Sequence, residues 1–475
     1  MSGEQVDYRL VAELQKQVGD LQADDRRELE VLGTPARSSA DEQQKAHSII
    51  RQVVARHMQA RLAAGDELPD PEYDARLRTA VFAAIYGAGE LQELLDDELV
   101  ENIDINGFDQ VWVSYAGEPW PRRWRPVAAS NEQLRRIIAN LGSYAGLNAR
   151  PFSQASPELD VRLPEGSRLS AIMGATETPS ISIRRNRYSQ MFLRPDLAEA
   201  ATSPGQPVLP DLVSLGTVTP ELADFLYAAV RARMNIVIGG ATDAGKTSLL
   251  RALAHCIDPR ERLVTVERAL ELGLGRHPEL HHNVREMEEV LPDAEGKGGV
   301  SIAALVRRTR RMNPSRVIVG EVLGPEVVEM LSAMAQGNDG SLSTIHARDA
   351  TEVFNRISTY AQQHENLSAE VSHALMAGAI DFVVFIEKNP LLGGQRCVTE
   401  VLEVGGFQSG RVATSALFSP SATDGRATRD PEVGLTPRRA AKLAALADWA
   451  DHIAGWPPHD DQAASNFGNS RATGW

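Results

Sequence analysis

The sequence predicts an α/β fold in which a parallel sheet with helices on its faces is preceded by a smaller α+β domain and N-terminal helices. Two observations support this prediction. In the second half of the chain, the β-like runs NIVIGG, RLVTVE, SRVIVGE and DFVVFIE alternate with helical segments. In the first half, short alternating runs such as VWVSY and SISIRR are separated by turn residues and a helical stretch. The length of 475 residues favours two to four folding units.

The N-terminal part is predicted to be helical. Residues 1–45 are a polar tail, and the spacing of its few leucines is compatible with a solitary helix or with disorder. Residues 46–90 form a helical segment with an amphipathic stripe and a second helix from Asp74 to Tyr86. Residues 91–188 form the α+β domain, where Asn106-Gly107 supplies a hairpin turn.

The remaining boundaries follow from composition. Residues 189–212, rich in Pro, Ala and Ser, are predicted to be a linker. Residues 213–408 carry the alternating strands and helices of the larger domain. Residues 409–475 are predicted to be a loose extension with one amphipathic helix, which starts at Thr436-Pro437 and ends near Gly455.

Composition excludes some classes of protein. The formal net charge of −15 and the pI near 5.3 argue against a nucleic-acid ligand, which requires a basic surface. Two distant cysteines, Cys256 and Cys397, do not form a disulfide framework. There is no signal-peptide pattern at the start and no apolar run of about 18 residues. We therefore expect a cytoplasmic protein that contacts membranes only through partners.

The stretch from Gly240 to Thr247 fits G-x-x-x-x-G-K-[ST], the P-loop pattern, and lies between a predicted strand and a predicted helix. Backbone N–H groups of such a loop bind phosphates, together with the N-terminus of the helix that follows. Lys246 would reach the β- and γ-phosphates, and the Thr247 hydroxyl would bind Mg²⁺. The predicted ATP-binding residues of this loop are Gly240, Ala241, Thr242, Asp243, Ala244, Gly245, Lys246, Thr247 and Ser248.

Three acidic residues and a histidine follow predicted strands of the same domain. Glu321 ends the buried run RVIVGE, where it would polarise an attacking water or hold the magnesium shell with Thr247. Glu267 and Glu271 follow another strand and could complete that magnesium site, or belong to a solvated helix start. His346 follows a short strand, where it would sense a γ-phosphate or serve only as a structural residue.

Arginines at two places are candidates for contacting phosphates. Arg311 lies in the run RRTRR, and Arg184 lies in SIRR of the first domain. Guanidinium groups complement phosphate charge and act in trans in many nucleotide triphosphatases. A solvated basic helix face is the alternative interpretation.

Together these motifs resemble the secretion ATPases of the type II/type IV superfamily, in particular the CpaF/TadA-like branch. The resemblance covers roughly residues 85–405. It includes LGTVTPELADFLYAAVRARMNIVIGGATDAGKTSLLRAL, the acid-to-histidine segment that ends GNDGSLSTIHA, and ELLDDELVENIDINGFDQVWV of the first domain.

The resemblance implies a RecA-like ATPase domain and a ring, usually a homo-hexamer, that hydrolyses ATP to drive assembly of a pilus or secretion machinery. It also implies docking on an inner-membrane platform protein at the cytoplasmic face. Under this resemblance Glu321 is the Walker B glutamate, Glu267 and Glu271 fall in the acidic box, and His346 is the His-box histidine. Arg184 and Arg311 match arginines that approach the phosphates.

The sequence departs from the pattern of this branch at several positions. Ala241 and Asp243 replace two glycines of the loop, and Arg268 replaces an aspartate of the acidic box. Leu323 and Asn338 replace an arginine and a histidine. An alternative is therefore an ATP-binding ring subunit that hydrolyses weakly or not at all and acts as scaffold or regulator. A small-molecule kinase is disfavoured, because it would need an acceptor-binding lid and the sequence shows no lid-like insertion. A DNA-translocating motor is disfavoured by the net charge of −15.

Overall fold

Two folding units divide the chain, Met1–Arg187 and Tyr188–Trp475. The structure is a computed structural model, and it describes residues 8–31, 39–65, 72–86, 88–118, 120–143, 152–163, 166–185, 190–292, 297–335, 337–446 and 456–457. None of the helices within these ranges has the length and apolarity needed to cross a membrane.

The first unit combines helices with an antiparallel sheet. Its helices are α1 (Tyr8–Val31), α2 (Ser39–Ala64), α3 (Tyr73–Tyr86), α4 (Leu91–Asp96) and α5 (Asn131–Ser143). Its strands are β1 (Val100–Asn106), β2 (Val111–Tyr115), β3 (Arg122–Trp124), β4 (Glu158–Arg162), β5 (Arg168–Ile172) and β6 (Ser180–Arg184), in the sheet order β3-β2-β1-β6-β5-β4. Gly107 has φ +93° in the β1–β2 turn, as the Asn-Gly signal predicts.

The first unit has two apolar cores. Helices α1, α2 and α3 bury one cluster, in which Leu14, Ile50 and Leu77 are almost completely excluded from solvent. Helices α4 and α5 cover the sheet and bury a second cluster with β1, β2 and β6. For the polar tail, where the sequence leaves helix and disorder open, the structure gives the helix α1, because its apolar residues recur on one face.

The second unit is built on a nine-stranded sheet in the order β15-β14-β13-β12-β7-β11-β10-β8-β9. Its strands are β7 (Ile236–Gly240), β8 (Arg262–Glu267), β9 (Asn283–Glu288), β10 (Arg316–Val322), β11 (Leu342–His346), β12 (Phe382–Asn389), β13 (Gln395–Gln408), β14 (Arg411–Pro420) and β15 (Ala427–Arg429). Its helices are α6 (Pro195–Ala201), α7 (Pro220–Arg231), α8 (Lys246–Ala254), α9 (Ile302–Thr309), α10 (Glu326–Ala335), α11 (Glu352–Glu365), α12 (Ala369–Ala379) and α13 (Pro437–Leu446).

The predicted α/β fold is confirmed. Strands β12, β7, β11, β10, β8 and β9 are parallel, and apolar clusters lie on the two faces of this sheet. Alternate residues of β7 serve the two clusters, Ile236 and Ile238 on one face and Val237 on the other. Strand β11 separates β7 from β10, the strand order of a RecA-like P-loop domain.

The structure differs from the predictions in two segments. Residues 190–212, expected as a linker, contain α6, and Met191, Leu193 and Leu212 are buried in the core of the second unit. Residues 411–429, expected to be loose, form β14 and β15, where Leu417 and Phe418 are completely buried. In both segments a few large apolar side chains outweigh the polar composition around them. The predicted C-terminal helix is described from Pro437 to Leu446, and its remainder lies outside the described residues.

Candidate nucleotide-binding site

The predicted functional residues lie at one edge of the larger sheet. Gly240, Glu267, Glu321 and His346 lie at or beside the carboxyl ends of β7, β8, β10 and β11, which run parallel. Ligands of parallel sheets bind at this edge. The parallel arrangement therefore brings together residues that are up to 106 positions apart in the sequence, such as the pair at the ends of β7 and β11.

The loop between β7 and α8 is closely packed against its surroundings. A Cβ atom on Gly239 would lie 2.6 Å from Cγ2 of Val353, and one on Gly240 would lie 2.3 Å from the carbonyl oxygen of Ile386. Gly245 has φ +100° and precedes the first residue of α8. At the start of the loop only glycine leaves enough space for the neighbouring atoms. At its end glycine adopts the left-handed backbone conformation at the lowest cost.

Lys246 is buried and its ammonium group faces the loop. Its Nζ donates to the carbonyl oxygens of Gly240 at 3.1 Å and Ala241 at 2.9 Å, and lies 3.1 Å from Nδ1 of His346. A buried ammonium requires such acceptors, because burial without them is costly. A phosphate group in the loop would be a stronger, charged acceptor for the same donor.

His346 links Lys246 to Glu321. Its Nε2 lies 2.7 Å from Oε1 of Glu321, while its Nδ1 faces Lys246. Lys246 can only donate, so Nδ1 is the acceptor and Nε2 carries the proton toward the carboxylate. Burial and the nearby Lys246 charge lower the pKa of His346, against the opposing effect of Glu321. The three side chains thus form a connected chain of lysine, neutral imidazole and carboxylate.

The acidic box contacts the first turn of helix α8. The Thr247 hydroxyl donates to Oε2 of Glu271 at 3.3 Å. Arg251, buried one turn further along α8, donates from Nη2 to the carbonyl of Glu271 at 2.6 Å and from Nε to that of Leu272 at 3.1 Å. Arg251 therefore fixes the backbone that carries the Glu271 carboxylate, and the sequence analysis did not identify this role.

Glu267 is the most buried carboxylate of the site. Its Oε2 accepts from the backbone N–H groups of Glu271 at 2.8 Å and Leu272 at 2.9 Å, and its Oε1 accepts from the Thr265 hydroxyl at 3.1 Å. Burial raises the pKa of Glu267 to about 7, although these backbone donors favour the charged form. A Cβ on Gly320 would lie 2.9 Å from Cγ of Glu267, so this carboxylate also packs against β10.

Two of the unusual residues are paired with opposite charges. Asp243 has φ +61°, and its carboxylate pairs with Lys388 of β12 and Arg396 of β13. Arg268 is half exposed, and its Nε lies 3.4 Å from Oε2 of Glu289. Both charges are therefore compensated locally, which no local sequence pattern indicates.

The two predicted arginines lie in different units. Arg311 is exposed just after α9 of the second unit, while Arg184 ends β6 of the first unit. In register with Arg184 on the adjacent strand is Arg168, whose own partner on the next strand is Arg162. Strand pairing therefore places three arginines in one row across β4, β5 and β6. The alternation of the predicted strands could have revealed the row, because all three arginines fall at corresponding positions.

The donors present are compatible with a magnesium ion brought in by a nucleotide. Among the residues that the structure describes, no group of three or more His, Cys, Asp and Glu is arranged to hold a metal. Magnesium bound through phosphates needs only one or two protein oxygens and keeps several waters. The Thr247 hydroxyl and the Glu271 carboxylate, already in contact, are oxygen donors of this kind.

Comparisons with known proteins agree on one family. The model of the type II/IV secretion system protein family matches residues 86–380. A putative conjugal transfer protein of Mycobacterium tuberculosis is 31% identical over 340 residues, which cover 70% of this chain and 89% of that protein. A type IV secretion system protein PtlH homolog of Bordetella bronchiseptica is 32% identical over 305 residues, 62% of this chain and 89% of that protein. The type IV secretion system protein VirB11 of Brucella suis is 27% identical over 323 residues, 66% and 87% respectively.

Proposed function

The chain belongs to the type II/IV secretion system protein family, and from this premise we propose that it binds and hydrolyses ATP with Mg²⁺. The observation that carries the proposal is the connected chain of Lys246, His346 and Glu321 at the phosphate-binding loop. It joins a phosphate-binding cation to a carboxylate through a group that can respond to the occupant of the loop.

Each residue has a role that its contacts support. Lys246, now bound to loop carbonyls, turns to the phosphates of the bound nucleotide. Glu321 accepts a hydrogen bond from His346 and is the base that orients the attacking water. His346 holds that carboxylate in place and loses its Lys246 contact when a γ-phosphate draws the ammonium away.

Thr247, Glu271 and Glu267 form the metal side of the site. The Thr247 hydroxyl and the Glu271 carboxylate would hold a magnesium ion, which would neutralise part of the phosphate charge. Glu267 positions Glu271 through the backbone N–H of that residue. Arg184 and Arg311 are proposed to contact phosphates from outside the loop.

The broader role is part of the same proposal. We assign the chain to the CpaF/TadA-like branch, as a homo-hexameric motor that drives assembly of a Tad or type IV-like pilus or of a type II/IV secretion machinery. Its partner would be an inner-membrane platform protein, and its place the cytoplasmic face of that membrane. The relatives named conjugal transfer protein and type IV secretion system protein support this setting.

A weakly hydrolysing ring subunit is the second candidate, and the residues that depart from the family pattern favour it. The compensated charges of Asp243 and Arg268 count against it, since neither side chain presents an unpaired charge to the loop. Leu323 is less informative, because its backbone N–H binds Glu326 whatever its side chain.

Steady-state ATP hydrolysis by the full-length protein across a range of protein concentrations tests the proposal. We expect turnover that rises cooperatively with concentration. Lys246→Ala should lose both binding and turnover, and Glu321→Gln should keep ATP binding while turnover falls by about a hundredfold or more. The matched control is Arg260→Gln, which removes an exposed guanidinium that pairs with Asp258, two residues before it in the sequence.

The three possible results separate the two candidates. Turnover that depends on Lys246 and Glu321 supports the motor. ATP binding that depends on Lys246, without turnover above that of Glu321→Gln, supports the weakly hydrolysing subunit. Wild-type protein with no Lys246-dependent binding contradicts both.

A further inference from the structure

We propose that Asp243, Lys388 and Arg396 form an ion-paired clamp that sets the net charge of the phosphate-binding loop and so its affinity for nucleotide. These are positioning residues, since they act on the loop rather than on reacting atoms. The inference rests on the proposed function, because it concerns nucleotide binding at the same loop.

The backbone at Asp243 limits which residues can occupy this position. Its φ of +61° is left-handed, a conformation that glycine, asparagine and aspartate adopt most readily. Backbone geometry alone would therefore accept an uncharged residue here. The carboxylate needs a separate explanation, and its contacts supply one.

The contacts of Asp243 engage both its side chain and its backbone. Oδ1 lies 3.0 Å from Nη2 of Arg396, and Oδ2 accepts from Nζ of Lys388. Arg396 also donates from Nε to the carbonyl oxygen of Asp243 at 3.0 Å. One guanidinium thus holds the carboxylate and the main chain of the same loop residue.

The two cations of the clamp lie on neighbouring strands close to the loop. Lys388 and Arg396 are directly opposite each other in the antiparallel pair β12–β13, and β12 lies beside β7, which leads into the loop. Two like charges at opposite positions destabilise a strand pair. Asp243 accepts from both cations and so removes most of that cost.

The side chain of Arg396 also covers the end of the loop. A Cβ on Gly245 would lie 3.3 Å from Cδ of Arg396 and 3.4 Å from Cδ1 of Ile386. The aliphatic part of Arg396 therefore packs on the residue that precedes Lys246. The guanidinium and its stem together contact both ends of the segment from Asp243 to Gly245.

The clamp carries two positive charges and one negative charge beside a site for phosphates. Each of its side chains is about one third to one half exposed, so its contribution to folding stability is small. Its effect on an anion in the loop is different, because that anion experiences the sum of all three charges. Removing the carboxylate should raise the local positive charge, and removing the cations should reverse its sign.

The experiment measures the dissociation constant of a fluorescent ADP analogue with Mg²⁺ for the full-length protein. Asp243→Asn keeps the left-handed preference and removes the charge, so the constant should fall by about three- to tenfold. The double variant Lys388→Gln/Arg396→Gln removes two positive charges, twice the change and in the opposite direction, so it should raise the constant by about ten- to hundredfold. The triple variant, whose net charge lies one unit below that of wild type, should raise the constant by about three- to tenfold, and Arg396→Lys should remain near the wild-type value.

Three further measurements accompany these variants. Arg260→Gln removes an exposed cation of the same unit and should leave the constant unchanged. The differences between variants should shrink between about 0.05 M and about 0.5 M salt, because these charges are partly exposed. Thermal unfolding of each variant establishes that the fold is kept.

The sign of the effects decides the outcome. If Asp243→Asn weakens binding as the double variant does, the clamp only shapes the loop, and the electrostatic proposal is wrong. Unchanged constants in all variants also overturn it. If wild-type protein shows no binding that depends on Lys246, the proposed function itself fails, and the clamp as a nucleotide device fails with it.

Discussion

The side chain of Glu267 places a carboxylate in an almost completely buried position. Three donors surround it, yet burial dominates and raises its pKa from 4.5 to about 7. In the folded chain this group therefore keeps its proton up to about pH 7, while in the unfolded chain it releases the proton above about pH 4.5. Between these values the folded state binds more protons, so the stability contributed by this group decreases as pH rises.

Glu267→Gln should therefore stabilise the nucleotide-free protein above pH 7. The amide oxygen can accept from the backbone N–H groups of Glu271 and Leu272, and no charge has to be buried. The gain over wild type should grow from about pH 4.5 to about 7 and then level off at on the order of 3 kcal/mol. Chemical denaturation at several pH values measures it.

A matched substitution controls for the loss of a surface charge. Glu365→Gln removes an exposed carboxylate and should leave the free energy of unfolding at pH 8 close to that of wild type. A Glu267→Gln variant less stable than wild type at pH 8 would contradict the assignment.

The sequence identifies the residues of the site, but it does not identify the distant residues that contact them in the folded chain. Lys246, Glu321 and His346 belong to short motifs that end strands, and parallel strands bring such ends together. Lys388 and Arg396 are 145 and 153 positions from Asp243, and no local pattern connects them. That contact depends on β12 lying beside β7, which strand propensity alone does not specify.

Among the elements, the helix α13 is held to the sheet by buried charge. Arg439 donates from Nε to Oδ1 of Asp381 at 3.0 Å, and its Nη1 lies 3.4 Å from Oε1 of Glu403. Glu403 is completely excluded from solvent and also accepts from the N–H and hydroxyl of Thr436. Breaking a buried pair costs more than replacing both partners, because one charge is left uncompensated.

Arg439→Met should lower the free energy of unfolding by about 3 kcal/mol, since the charge of Glu403 then lacks its guanidinium partner. Adding Glu403→Gln should recover about half of that loss. Equilibrium denaturation of the single and double variants gives both values. The neighbouring Arg438→Met, at an exposed position, is the control, and equal losses in Arg438→Met and Arg439→Met would rule out this role.

The sequence predicts the strands most clearly where the residues of a strand are buried on both faces of the sheet. β7, β8, β10 and β12 are runs of apolar residues buried on both faces, and all four are predicted. β9 is not predicted, because its sequence NVREME is polar and only half buried at the sheet edge. An edge strand has a neighbouring strand on one side only, so fewer of its residues are buried and its sequence carries a weaker apolar pattern.

In the whole molecule, each unit encloses its own apolar cores. The clusters of the first unit draw only on residues before 188, and those of the second only on residues from 191 onward. A unit with its own core can fold without its neighbour. The Lys246, His346 and Glu321 chain lies completely within the second unit, whereas Arg184 lies in the first.

The fragment Tyr188–Trp475 should therefore unfold cooperatively and bind nucleotide in a Lys246-dependent manner. Calorimetry and the fluorescent ADP titration test both statements. A fragment that lacks a cooperative transition would show that the second unit depends on the first.

The space around each position of the phosphate-binding loop determines how freely its residue can be substituted during evolution. Gly239 and Gly240 are closed to any side chain, because Val353 and a carbonyl of Ile386 already occupy the space. Asp243 faces strands whose charged residues can be exchanged together with it. Random variation should therefore leave the two glycines fixed, while position 243 drifts in concert with 388 and 396. Descendants of this chain would then inherit a fixed loop shape with an adjustable charge.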